Sequence, residues 1–328
     1  MAQLTVAEIC IGAGGQAIGL EQAGFEHVYG IDIDRHAVAT VLLNRPSWKV
    51  QLGDVNEVDG RHLEGIDLLA GGIPCPPFSI AGKQLGHDDE RDLFPAYLRI
   101  LASARPRAFL IENVPGFAAS KFDSYRSRIL NNAAELGYTV EWRVLNSADY
   151  GVPQLRPRFI CVGIRKDLDS EFRWPDPLGY RIGVGETIGD LMASAGWPGA
   201  LKWQAQASGI APTLVGGSKK HGGADLGPTR ARQKWLELGV DGKGVADEPP
   251  GGLLPEDQVP RLTVQMAARI QGFPDTWKFA GGKTAVYKQI GNAFPPPVAW
   301  AVGQEIRRAL LHSSPVLNPF PKLESVLR

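Results

Sequence analysis

Cysteine is scarce in this sequence: Cys10, Cys75 and Cys161 are the whole supply in 328 residues. An odd number without CxxC or metal-ligand spacing argues against a disulfide framework and against a structural zinc site, so no metal is expected. Excess charge of either sign is missing as well, because 35 Lys and Arg face 35 Asp and Glu. Zero net charge announces no global field for a polyanion, which must then be met by a local patch. No apolar run approaches the ~20 residues that span a bilayer, and no charged-then-apolar leader opens the sequence. The expectation is a soluble protein of a reducing, cytoplasmic compartment with no membrane partner. What is there, 44% hydrophobic and 21% charged residues, is ordinary globular material with enough length to bury a core.

The first half of the chain alternates strands with helices. Thr5 to Ile11 reads as a strand, Gly12-Ala13-Gly14-Gly15 as a turn, and a helical stretch follows until Gly24. A second strand, His27 to Ile31, ends at Asp32-Ile33-Asp34. Further strands are expected at Ile66 to Ala70, Ala108 to Ile111, Thr139 to Leu145 and Phe159 to Ile164, with helices such as Pro95 to Ala104 and Ser124 to Leu136 between most of them. Such alternation predicts an α/β fold with a mostly parallel, doubly wound sheet. After Trp174-Pro175-Asp176-Pro177 the texture turns glycine-rich and proline-punctuated, with little helical period, until about Pro260. Helical patterns return at Leu262 to Ile270 and at Pro297 to Ile306, so the chain is expected to re-enter its first domain at the end.

Several clusters in this frame can carry chemistry. The run Gly71-Gly72-Ile73-Pro74-Cys75-Pro76-Pro77 places a thiol in a proline-stiffened loop directly after an apolar strand. Prolines fix φ and bias their predecessors toward extended backbone, and ligands of open α/β sheets bind at the carboxyl ends of such strands. Cys75 is thus either a presented nucleophile or a small buried hydrophobe. The glycine turn at Gly12 to Gly15 lets a ligand approach backbone and helix N–H groups, although Gln16 and Ala17 interrupt the full dinucleotide fingerprint. Asp32 stands where such folds hold a ribose hydroxyl, and Asp54 supplies a second carboxylate suited to an adenine amino group; both also suit loop caps. Glu112, at the end of an apolar strand, can be desolvated and made a proton donor. Arg156 and Arg158 are spaced to share one side of a strand, for bidentate binding of an anion or base carbonyl or as a surface salt-bridge pair.

Together these segments resemble, in order, the motifs of bacterial-type DNA (cytosine-5)-methyltransferases. Glu8 to Gly15 resembles the first motif, Pro74-Cys75 the nucleophile motif, Glu112-Asn113-Val114 the proton-donor motif and Gln154 to Arg158 the double-arginine motif. Arg261-Leu262-Thr263 with Gln271-Gly272-Phe273-Pro274, and Gln289-Ile290-Gly291-Asn292-Ala293, resemble the later ones. The resemblance implies a Rossmann-like methyltransferase sheet over 1–172 and 286–328, with a smaller loop-rich target-recognition domain and hinge over 173–285. It implies S-adenosyl-L-methionine as cofactor, with S-adenosyl-L-homocysteine as product, held by Ile11, Gly12, Ala13, Gly14, Gly15, Asp32, Ile33, Asp54, Val55, Pro74, Leu93, Asn292 and Ala293. Cys75 would attack C6 of a flipped cytosine, Glu112 would hydrogen-bond N3 and the exocyclic amine, and Arg158 with Arg156 would hold the base carbonyl and the loop. A water would take the C5 proton.

The implied partner is double-stranded DNA, bound by a monomer that associates with the nucleoid and shares its site with a cognate restriction endonuclease. Ser79 to Gln84 resembles the mobile loop that closes over flipped DNA, so Ser79, Lys83 and Gln84 are candidate DNA contacts. Lys219, Lys220, Arg230 and Arg232 lie in a stretch where Asp225 is the only acid between Lys219 and Lys234, a local basic patch suited to phosphates or a solvated loop. The sequence departs from the family at Glu8, Cys10, Asp32 and Pro76. Rival readings are an RNA cytosine methyltransferase, a silent DNA-binding module, an amino-methyltransferase, which would need Asn or Asp before its Pro-Pro-aromatic loop where Cys75 stands before Pro76-Pro77-Phe78, and a nicotinamide oxidoreductase.

Overall fold

The computed structural model describes residues 3–74, 92–168, 170–216 and 225–311. Seven strands form the main sheet: β1 (Leu4–Ile9), β2 (Phe25–Asp32), β3 (Val50–Leu52), β4 (Leu68–Gly72), β5 (Ala108–Asn113), β6 (Tyr138–Asn146) and β7 (Pro157–Arg165). Their spatial order is β3-β2-β1-β4-β5-β7-β6. β1, β4 and β5 are apolar almost throughout because both faces of a central parallel strand are covered. Order reverses between β1 and β4, which creates the crevice where open α/β sheets bind ligands.

Helices α1 (Gly15–Gln22), α2 (Arg35–Asn44), α3 (Phe94–Ala104) and α4 (Asp123–Glu135) make the crossovers. The step from β6 to β7 has no such helix, only a short turn at Ser147–Tyr150 and a two-residue strand at Gln154–Leu155. A connection that short cannot make a parallel crossover, and β7 runs antiparallel to both β5 and β6. The sheet is mostly parallel, as expected, with this one reversed strand.

Two local expectations need correction. The first strand stops at Ile9, not Ile11, because Cys10 takes φ 53° and Gly12 φ 56°, turning the chain away from the sheet. The region to Pro260 is not without helices: α5 (Val184–Ala193), α6 (Ala200–Gln206) and α7 (Thr229–Glu237) lie within it. Their period is hard to read because α5 carries internal glycines and α7 buries only Trp235 among polar neighbours. Tertiary burial of a few large side chains, Trp203 and Trp235 among them, holds these short helices where propensity alone would not.

Helices α8 (Val264–Ile270), α9 (Lys283–Asn292) and α10 (Pro296–Leu311) return to the sheet. The apolar cluster under α5 to α9 includes Ile18 of α1 and Ala293, so that cluster is continuous with the helix that follows the glycine turn. α10 lies against α1 at Gly19, where a Cβ would collide with the Pro296 carbonyl and lie 2.6 Å from Ala299 Cβ. Close approach of these helices is what seats residues 292–294 beside the glycine turn.

Gly19→Ala should therefore overpack the α1–α10 contact and lose ~1–3 kcal/mol of stability. The measurement is a lowered urea midpoint with an unchanged slope; an unchanged midpoint would show that the two helices can slide apart freely.

Candidate active site

A cavity of about 730 Å³ opens at the carboxyl ends of β1 to β5. The glycine turn forms its floor: Ile11, Gly12, Ala13 and Gly15 line it, whereas Gly14 does not. Gly14 is the residue before α1, at φ 85°, and a Cβ there would lie 2.8 Å from the Trp277 ring. Its role is thus the turn and the packing of Trp277, whose indole N–H donates to the Ala13 carbonyl at 3.1 Å.

Asp32 ends β2 with its carboxylate accepting the N–H groups of Gly12 and Asp34, each at 2.8 Å. Burial raises its pKa, and these backbone donors pull it back. Two oxygens holding one N–H each retain lone pairs toward the cavity. Next to it Ile33 is 76% exposed, an apolar side chain left uncovered at the cavity wall. Asp54 and Val55 line the opposite wall. Asp54 accepts the Asn56 N–H at 2.8 Å through Oδ1, so it is a loop cap and a cavity residue together. Leu93, Asn292 and Ala293 close the remaining side.

At the far end of the cavity stand Gly72, Pro74 and Glu112. Glu112 faces Gly72 in register on the neighbouring strand. Arg158 sits on β7 diagonal to Glu112, two residues from Ile160, which is directly opposite it. That diagonal lies within reach of a long side chain, and Arg158 Nε meets Glu112 Oε1 at 2.9 Å with both groups largely buried. Burial raises the Glu112 pKa, and the Arg158 and Arg156 charges oppose the rise. Asn113 donates its side-chain N–H to the Ile73 carbonyl at 2.9 Å, anchoring the backbone that leads into Pro74. Cys75 lies outside the described residues, as do Ser79, Lys83, Gln84, Lys219 and Lys220. Arg230 and Arg232 are on α7, Arg230 exposed and Arg232 half-buried, away from the residues that line the cavity.

Arg156 behaves differently from the expectation. It is fully buried. Its Nη1 donates to the Leu214 carbonyl at 2.6 Å, and its Nη2 to the Gly291 and Ala293 carbonyls at 2.7 and 2.9 Å. Gln154 and Gln271 extend the network: Gln154 Nε2 donates to Gln271 Oε1 at 2.8 Å, and Gln271 Nε2 to the Ala293 carbonyl at 2.6 Å. The two arginines do not share one partner: Arg156 precedes β7 and binds backbone carbonyls, whereas Arg158 on β7 pairs with Glu112. Arg156 ties three distant segments, and only Arg158 reaches Glu112.

Three cavity residues had weak or no signals in the sequence. Glu8 lines the cavity and pairs with His27 at 3.2 Å. Burial and the nearby Asp32 push its pKa well up, while burial and Arg45 lower that of His27 to about 3. Cys10 also lines the wall as a thiol, its pKa pushed up to about 12 by burial and by Asp32, Glu8 and Asp54. Gln16, in the first turn of α1, lines the cavity with 3% exposure. Its signal was only that a polar residue interrupts a glycine-rich turn.

A doubly wound sheet whose switch point opens into a nucleoside-sized cavity beside a buried carboxylate–guanidinium pair defines a ligand-binding α/β enzyme domain. Residues 4–308 match the model of C-5 cytosine-specific DNA methylases. The chain is 54% identical over 318 residues to the Type II methyltransferase M.NaeI of Lentzea aerocolonigenes, covering 94% of this chain and 76% of that protein. It is 50% identical over 312 residues to the Type II methyltransferase M.NgoMIV of Neisseria gonorrhoeae, covering 94% and 98%. A solved structure of a Spodoptera frugiperda DNMT2 triple mutant shares the fold, with TM-score 0.66 and 19% identity over 94% of this chain and 99% of that one. The chain belongs to the C-5 cytosine-specific DNA methylase family and is a DNA cytosine-5 methyltransferase. No helix among the described residues is long and apolar enough to cross a membrane, and none of their acidic, Cys and His side chains cluster as a metal site.

Arg156→Met should leave the Leu214 and Gly291 carbonyls buried without this donor and lower stability by on the order of 3 kcal/mol, read by urea denaturation. Unchanged stability would refute the clamp. For Glu112, the native state holds its proton more tightly than the unfolded chain does, so stability falls as pH rises from the ordinary glutamate value of 4.5 through the raised one. Glu112→Gln should flatten that fall in a pH series of denaturation curves; parallel curves for both proteins would mean that the carboxyl is unperturbed.

Proposed function

We propose that this enzyme methylates C5 of a cytosine flipped out of a specific duplex sequence, through a covalent bond between Cys75 and C6. The single observation that carries this reading is the buried Glu112–Arg158 pair, set in register with the strand that leads through Pro74 into Cys75. The cavity fits S-adenosyl-L-methionine: its volume falls in the range of roughly 300–1,000 Å³ usual for such ligands, with the Asp32 lone pairs for ribose hydroxyls, Ile33 for the adenine face and Asp54 for its amine. When bound, this cofactor supplies the methyl group that C5 takes.

C5 of cytosine is only weakly nucleophilic. Attack by the Cys75 thiolate, its proton released to solvent, forms an S–C6 bond and moves the C5–C6 π pair onto C5 and the ring, which splits one hard step into easier ones. Glu112, whose pKa burial raises, donates a proton toward N3 and so favours the charge that develops there. Arg158 fixes the Glu112 carboxyl and offers its remaining donors to the base carbonyl. After methylation a water removes the C5 proton, the C5–C6 double bond re-forms, and the thiolate leaves. A base in a duplex cannot reach this site, so extrusion is required.

The reading assigns 1–172 and 286–328 to catalysis and 173–285 to target recognition and hinge. Arg230 and Arg232 on α7, with the basic residues before them, would meet phosphates, and the kinship with Type II methyltransferases favours a cognate restriction endonuclease and a monomeric enzyme. Incubation with S-adenosyl-L-methionine and a duplex pool containing 5-fluorocytosine should trap a covalent protein–DNA adduct, because fluorine at C5 cannot leave as the proton does. The adduct should vanish in Cys75→Ser; its absence from the wild type across a diverse pool would sink the covalent mechanism. Separately, replacing Arg230 and Arg232 with Ala should reduce the slope of log affinity against log salt by ~1.8 for the loss of two phosphate contacts, and an unchanged slope would remove α7 from the DNA surface.

A further inference from the structure

Among the described residues, Gln16 is the one buried cavity residue whose side chain has both polar atoms left over. It is 3% exposed, and neither Nε2 nor Oε1 has a hydrogen-bond partner among the described residues. A buried primary amide with no partner costs its full desolvation penalty, so its presence calls for an occupant that repays both a donor and an acceptor. A position used only for packing would be filled more stably by an apolar side chain of the same length.

The surroundings narrow the occupant. Gln16 is in the first turn of α1, an eight-residue helix preceded by Gly14 with no side-chain cap. The leading N–H groups of a helix have no intrahelical acceptor and attract negative charge. Gly15 packs directly against Ala293 and the Phe294 backbone, so the amide stands near the wall built by the returning chain. Asp32, Ile33 and Asp54, the groups suited to a nucleoside, are reached from the loops after β2 and β3 instead. One ligand end must therefore carry an anion for the helix terminus and Nε2 together with a cationic N–H donor for Oε1. An α-amino acid zwitterion has both.

We infer that Gln16 is a cofactor-binding residue that grips the amino acid end of the methyl donor, its Nε2 donating to the carboxylate and its Oε1 accepting from the ammonium. This rests on the cofactor reading above and adds to it a side chain whose effect is confined to one end of the ligand. Gln16 thereby separates the complete cofactor from bare nucleosides that fit the other half of the cavity.

Calorimetric titration with two probes isolates that end: S-adenosyl-L-homocysteine, which has the amino acid, and 5′-methylthioadenosine, which lacks it. In Gln16→Met the first should bind on the order of tenfold more weakly, as expected for loss of hydrogen bonds to charged groups, while the second binds as it does to the wild type. Gln16→Glu should weaken the first probe further by setting a carboxylate against a carboxylate. Without ligand, the melting temperature of Gln16→Met should equal or exceed that of the wild type, a direction that a merely structural role for the amide would reverse. Equal loss for both probes, or loss for neither, would overturn the inference and leave the cofactor reading standing. A wild type that binds neither probe would overturn both.

Discussion

One guanidinium holds the architecture together. Arg156 lies in the break between the short strand at Gln154–Leu155 and β7, and it hands its protons to carbonyls from residues 214, 291 and 293. Those carbonyls come from the stretch between α6 and α7, from the end of α9 and from the residue just after it. Without a shared donor, three buried acceptors would converge at one point with nothing between them, an arrangement that low dielectric makes costly. With it, the returning chain is pinned where Asn292 and Ala293 complete the cavity wall. Gln154 and Gln271 brace the same junction from either side.

The Glu112 end of the cavity depends on a different kind of constraint, the pleat. Because β7 is antiparallel to β5, Ile160 stands opposite Glu112 and Arg158 falls on the diagonal of the same face. A parallel β7 would have arrived from the other rim and carried its arginine away from the carboxyl. The reversed strand is thus not an irregularity of the fold. It lets the Arg158 cation reach the carboxyl ends of the parallel strands, where the cavity-lining groups gather.

Much of this was legible in the sequence, for identifiable reasons. Apolar runs bounded by glycine turns gave the central strands, since burial on both faces leaves no ambiguity of period. Asp32 and Asp54 were readable because their places at strand ends follow from that alternation. The ordered motifs supplied Glu112 and Arg158. What was not legible depends on contacts far apart in the chain. Arg156 and Arg158 look alike as a pair, and only the three-dimensional course of 214 and 291–293 separates a clamp from a carboxylate partner. Helices α6 and α7 were hidden because each is held by one large buried side chain, Trp203 or Trp235, rather than by a continuous apolar stripe. Gln16 was passed over because a polar residue in a glycine turn has no meaning until its surroundings are known to be dry.

The placement of Asn292 and Ala293 has a consequence for how the molecule comes into being. Asp32 and Asn292 face one cavity, yet roughly 260 residues separate them. On a ribosome working at ~5–20 residues per second, the two walls are made on the order of tens of seconds apart. The sheet can assemble from its early, locally connected βα units as they emerge, but the pocket stays open on one side until α9 and α10 arrive. The cavity wall formed by Asn292 and Ala293 is therefore completed only in a late step, when α9 and α10 arrive.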